Sequence, residues 1–176
     1  VVAHLAEINR VKTIAENTTG TISERLCEWG LKESVPDTYY PLRSFQGIKW
    51  DWLGDFGIVG YPLNVFVSVK SFKAKERLLV SGSGNPLAPT LGWGLFDAPG
   101  EFGASRLATM RLRGFLAIYM PERTASALGA DARDIRNING NPLVRELAAF
   151  PRDLVASSEE FLLGGRKVRM VSASHF

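Results

Sequence analysis

"VFVSVKSF", Val65–Phe72, decides how this chain is read. Its first five residues are apolar or small, and Val65, Val67 and Val69 are β-branched, which suits an extended, packed strand. The apolar run ends on Lys70, and a second lysine follows at Lys73. The expected strand is Leu63–Val69, with Lys70 emerging from its end. A strand built this way delivers an amine to the rim of a sheet. Ser68 stands two residues before that amine.

Upstream, "GIKWDWLGDFGIVG", Gly47–Gly60, alternates apolar and polar residues at first and carries Gly54 and Gly57. It reads as a strand bent at its glycines. "YPLN" turns the chain, so the two strands form a hairpin. "KESVPDTYYPLRSF" before them is irregular and holds two prolines. Further back, "TISERLCEWGL", Thr21–Leu31, reads as a helix. Ile22, Leu26 and Trp29 recur at helical spacing, Thr21 or Ser23 can cap it, and Gly30 marks its end. Glu24 and Glu28 fall on the opposite face. Leu5–Glu16 is a weaker helix, followed by the turn-like "ENTTG".

Downstream, "SFKAKERLLVSG", Ser71–Gly82, reads as a helix with Phe72, Leu78 and Leu79 for a core. Ser81–Gly103 is rich in glycine and proline and reads as a long loop, the kind of segment that carries function. "ASRLATMRLRG" is a helix ending at Gly114. "FLAIYMP", Phe115–Pro121, is an unbroken apolar strand, buried on both faces. "TASALGADARDI" and "NPLVRELAAF" are short helices or turns. "EFLLGGRKVRMVS" is a terminal hairpin around Gly164–Gly165. No internal repeat or low-complexity tract interrupts this order. The expectation is a single α/β domain over residues 1–176, a mixed sheet flanked by helices.

Bulk composition bounds the function. The 176 residues are 45% apolar and 22% charged, with mean hydropathy near zero, as in a globular domain with a sizeable core. No run of eighteen apolar residues predicts a membrane span, and the N-terminal stretch lacks the layout of a signal peptide. Cys27 is the single cysteine, so no disulfide can form within the chain, and a cytoplasmic setting is expected. The two histidines, His4 and His175, lie near the termini, which disfavours histidine-based zinc sites and a Ser-His-Asp triad. Catalysis, if present, falls to carboxylates, lysine or a hard metal ion.

Net charge is +3, unevenly spread. Residues 1–69 hold 6 Lys/Arg against 8 Asp/Glu, whereas residues 70–113 hold 7 against 3. The basic excess begins at Lys70. A basic strip suits a polyanion, because phosphate contacts release counterions. The bland alternative is a solvated surface.

Asp55 on the first hairpin arm and Lys70 at the end of the second can meet at one rim, although fifteen positions separate them. A carboxylate that holds a divalent cation and an amine that steadies developing negative charge are a working pair for phosphodiester hydrolysis. Magnesium suits such a site because it prefers oxygen ligands. Taken singly, an aspartate beside a glycine is a turn residue and a lysine after a strand is the first solvated residue. It is the pair, in this order of elements, that carries the chemistry.

"GDFGIV" around Asp55 and "VSVKSF" around Lys70, in the order helix, strand, strand, helix, strand, resemble the PD-(D/E)xK nuclease superfamily, and within it the type II restriction endonucleases. The resemblance covers roughly residues 21–121. It implies a restriction-endonuclease-like core, cleavage of double-stranded DNA with Mg2+, and a homodimer matched to a two-fold symmetric site. It implies that Asp55 holds metal, that the Val69 carbonyl is a further ligand, and that Lys70 is the motif lysine. Ser68 occupies the position where the family usually has a carboxylate, which makes this an S-x-K variant. In such variants the missing carboxylate comes from the following helix, where this chain has Glu76. Glu24 and Glu28 of the first helix are the other candidates.

Read as a nucleophile, Ser68 would need an oxyanion hole that no stretch supplies. Lys73, Lys75 and Arg77 follow the motif directly and are expected phosphate contacts. Asn85, in the Gly/Pro-rich segment, is the expected base reader. Trp50 and Trp52 read as strand packing and Cys27 as a helix-packing residue. The rival functions are a DNA-binding protein that kept the core and lost cleavage, a nuclease of repair or recombination, and a globular domain with an unrelated partner.

Overall fold

A computed structural model of the chain describes residues 2–42, 53–71, 78 and 88–176, with backbone alone for 2–17. The first element is a single helix, α1 (Val2–Ser34), which runs through both the "ENTTG" segment and Gly30. The expected break at 16–20 is absent, because weak local propensity yields when a long helix is held by packing. The buried face of α1 also differs from the expected one. Ile22, Leu26 and Trp29 are exposed, whereas Ser23, Cys27, Leu31 and Val35 are buried. The smaller residues let α1 lie close against its neighbours. At Gly30 a Cβ would come within 3.3 Å of the Phe150 ring, so this glycine admits a packing partner rather than ending the helix. The buried Ser23 hydroxyl donates back to the Thr19 carbonyl at 3.0 Å, which satisfies it within the helix.

The strands are β1 (Tyr39–Pro41), β2 (Phe56–Ile58), β3 (Gly60–Tyr61), β4 (Val65–Lys70), β5 (Thr90–Gly94), β6 (Phe115–Met120), β7 (Val144–Glu146), β8 (Ser158–Leu163) and β9 (Arg166–Ser172). Helices α2 (Ala104–Leu112), α3 (Glu122–Ser126), α4 (Ala130–Arg133) and α5 (Phe150–Ala156) follow α1 among the described residues. The main sheet has six strands in the order β1-β2-β4-β5-β6-β7. Strand β2 runs antiparallel to both its neighbours, β1 and β4, and β4 to β7 run parallel, so the sheet is mixed. A smaller sheet, β3-β9-β8, contains the expected terminal hairpin.

The hairpin predicted around "VFVSVKSF" forms, with Phe56 opposite Val67 and Ile58 opposite Val65. Lys70 is the last residue of β4. The segment Ser81–Gly103 departs most from expectation. Its residues 90–94 are β5, a fully buried strand between β4 and β6. Glycines that read as loop punctuation are demanded there by proximity. A Cβ at Gly92 would meet the side chains of Phe115, Leu78 and Ile118 at 3.3–3.5 Å.

Two apolar clusters cover the two faces of the sheet. Cys27, Leu31, Val67, Val69, Trp93, Tyr119, Phe150 and Leu154 belong to one, under α1 and α5. Leu78, Phe96, Leu107, Met110, Phe115 and Ile118 belong to the other, under α2. The fold is α/β, a mixed sheet between helices.

Candidate functional site

Alternation along β4 sends Val65, Val67 and Val69 to the α1 face and leaves Lys70 at the rim. The chain reaches the same rim from the other side at Gly54–Asp55. Gly54 has φ +151°, and a Cβ there would lie 2.7 Å from the Val67 carbonyl oxygen. Glycine alone allows this close approach without strain. The Asp55 amide then donates to that Val67 carbonyl at 2.8 Å.

Asp55 Oδ2 accepts the Val69 amide at 2.7 Å and lies 3.4 Å from Lys70 Nζ. Lys70 Nζ also donates to the Val69 carbonyl at 2.9 Å. Carboxylate, amine and carbonyl therefore converge in one knot at the carboxyl end of β4. The two charged side chains keep only 12% and 18% exposure, for Asp55 and Lys70 respectively. Removing two charges from water costs more than a surface pair returns, so such a pair is weak evidence of a stabilising role.

Asp55 also lines a cavity of about 210 Å³ with Thr21, Glu24, Arg25, Glu28, Pro41 and Phe56. Here α1 brings its carboxylates to the hairpin. Cys27 registers their field: burial pushes its thiol well above the usual range, and the negative charges of Asp55, Glu28 and Glu24 push the same way. Glu28 is engaged by neighbours, accepting the Tyr39 hydroxyl at 3.3 Å and pairing with Lys32 at 3.1 Å. Tyr39 was not singled out by sequence reasoning, since no motif marks a tyrosine eleven positions from its partner.

No family model, curated protein or solved structure matches this chain. The site is therefore read from its own chemistry. The atoms gathered around Lys70 are hard oxygen donors, the Asp55 carboxylate and the Val69 carbonyl, with Glu24 on the wall of the adjoining cavity. Such donors fit magnesium, which needs few protein ligands and keeps several waters. Among the described residues no group of three His, Cys, Asp or Glu side chains is placed to hold an ion.

Of the expected site residues, Asp55, Val69 and Lys70 are brought together, and Glu24 shares a cavity with Asp55. Ser68 is not part of this group. It is fully buried, pairs with Gly92 in β5, and its hydroxyl has no hydrogen-bond partner among the described residues. Glu76, Lys73, Lys75, Arg77 and Asn85 lie outside the described residues, as do Trp50 and Trp52. Cys27 is a packing residue, fully buried against the sheet. No helix among the described residues is long and apolar enough to cross a membrane.

Sequence reasoning also passed over a second polar constellation. The Tyr119 hydroxyl donates to Asp153 at 2.8 Å, and Arg145 Nη1 donates to the same carboxylate oxygen at 2.7 Å. Burial, and the Asp153 charge beside it, push the Tyr119 hydroxyl well above the usual phenol range. These three residues lie 8 to 34 positions apart and form no sequence motif.

Proposed function

We propose that the protein is a magnesium-dependent endonuclease that hydrolyses phosphodiester bonds of double-stranded DNA at a short site, with a restriction-endonuclease-like core. The observation that supports this most directly is the convergence of Asp55, Lys70 and the Val69 carbonyl at one rim of the sheet. Asp55 and the Val69 carbonyl would hold the ion, with Glu24 a further carboxylate in the adjoining cavity. Magnesium, when bound, supplies Lewis acidity to the phosphoryl oxygen and lowers the pKa of its water. Lys70 has the reach to orient the attacking water or to steady the charge that develops on phosphate oxygens. A homodimer follows from the substrate, because a short palindrome presents the same surface twice.

A DNA-binding protein without cleavage is the second reading. Two observations favour it: a buried serine at the motif's carboxylate position, and no trio of carboxylates among the described residues. Plasmid digestion with and without magnesium separates the two, with Lys70→Ala beside the parent. Magnesium-dependent cutting by the parent, lost in the variant, supports the nuclease. Equal cutting by both removes it, and salt-sensitive duplex binding without any cutting selects the second reading.

A further inference from the structure

Strand β7 is the far edge of the main sheet, and beside it lies a cavity of about 600 Å³. Three arginines from three elements line it: Arg133 of α4, Arg145 of β7 and Arg152 of α5. Arg145 is fixed in place. Its Nη1 donates to Asp153 at 2.7 Å and its Nε to the Pro142 carbonyl at 3.1 Å, and Asp153 is held in turn by the Tyr119 hydroxyl. Arg133 and Arg152 make no ion pair among the described residues. The carboxylates in the wall are Asp153, neutralised by Arg145, and Glu146. His175 closes the wall and faces Glu159 at 3.4 Å. Among the described residues, the cavity therefore sets two guanidiniums without an ion pair and one oriented guanidinium against a single unneutralised carboxylate. Its volume is that of a small-molecule site, large enough for a nucleotide.

The cavity is tied to the Asp55–Lys70 rim by the register of the sheet. Val69 pairs with Trp93, Trp93 with Tyr119, and Tyr119 with Arg145. This single row crosses four parallel strands, so Arg145 and Val69 are about 14 Å apart at the usual strand spacing. Measured along the axis of a duplex, that span is about four base-pair rises.

We propose that this cavity binds a phosphate group through Arg133, Arg145 and Arg152, and, resting on the nuclease reading, that the group is a backbone phosphate of the same polynucleotide. Guanidinium is the side chain suited to this ligand, because its planar fork meets two phosphate oxygens at once. A free nucleotide offers the same chemistry and is the other possible source.

Two titrations, both without magnesium, separate the sources. The first follows inorganic phosphate and a nucleoside monophosphate by calorimetry, on the parent and on Arg133→Gln, Arg152→Gln and the double variant. The second follows a labelled DNA duplex by anisotropy over a salt series. Both arginines are exposed, so the variants should keep the parent's melting temperature, and either single variant serves if the double one does not fold. The expected result is phosphate binding weakened at least tenfold by the double substitution, with the salt slope of duplex binding falling by about 1 for each arginine–phosphate pairing removed. Weakened phosphate binding with an unchanged slope supports the phosphate site and assigns it to a free nucleotide, overturning the backbone source. Phosphate bound by neither protein, or equally by both, overturns the site. Failure of the nuclease reading is seen separately, as metal-independent or absent plasmid cutting, and leaves the calorimetric result standing.

Discussion

Asp55 Oδ2 and Lys70 Nζ lie 3.4 Å apart, although fifteen residues separate them in the chain. The hairpin of β2 and β4 creates this neighbourhood, and the backbone of Val69 anchors both partners. A lysine held this way has its amine fixed relative to the carboxylate, which is what positioning a reacting group requires.

Asp55→Asn should keep the fold, since an amide oxygen still accepts the Val69 amide. It removes the charge that a cation needs. Magnesium-dependent plasmid cutting should fall by about two orders of magnitude or more, the scale of losing one electrostatic contributor. Unchanged cutting rates in a magnesium titration would count against Asp55.

Glu24 and Glu28 line the same cavity as Asp55 but are not equivalent. Glu28 is occupied by Tyr39 and Lys32. With Glu24 as the proposed metal-side carboxylate, Glu24→Gln should raise the magnesium concentration needed for half-maximal cutting more than Glu28→Gln does. The reverse order would assign the metal-side carboxylate to Glu28.

Gly54→Ala places a Cβ 2.7 Å from the Val67 carbonyl at a positive φ. The strained backbone should cost about 1–3 kcal/mol. For a chain of this size that lowers Tm by roughly 2–4 °C per kcal/mol, measurable by thermal circular dichroism. Activity should fall as well, because Asp55 is the next residue.

Burial raises the Cys27 thiol pKa, and the surrounding carboxylates add to the effect. Above its unfolded pKa of 9.0 the unfolded chain releases a proton that the folded chain keeps. Stability is therefore full below that pH and falls as pH rises past it. Cys27→Ala should flatten this alkaline loss, read from denaturant midpoints between neutral pH and pH 10. In the native parent at neutral pH, a thiol reagent should react only after denaturant is added.

Tyr119→Phe removes the hydroxyl that steadies Asp153 beside Arg145. The loss should be about 1 kcal/mol. Asp153→Asn should cost more, because Arg145 is left half-stripped of its partner in a site with 13% side-chain exposure. Chemical denaturation of the two variants checks the order.

Local patterning determined several things directly. The β-branched alternation of Val65–Val69 specifies a packed strand, and the amine after it must appear at the strand's end. The unbroken apolar run at 115–120 specifies a strand covered on both sides, and Gly164–Gly165 specifies a hairpin. These features depend on near neighbours, so period and turn chemistry suffice. The α/β class and the Asp55–Lys70 pairing followed from them.

Only the tertiary structure decided which face of α1 is buried. Ile22, Leu26 and Trp29 are the more hydrophobic stripe, yet the close approach of Phe150 at Gly30 and the fit against the sheet select Cys27 and Leu31. It also turned Thr90–Gly94 from apparent loop into a central strand, because Gly92 answers to Phe115 and Ile118 and not to its sequence neighbours. The row that links Val69 to Arg145 exists only once four strands are in register. Local energies fix what a segment prefers, but burial and contact across the sheet belong to pairs of residues far apart in the chain, and no single window of sequence contains both members.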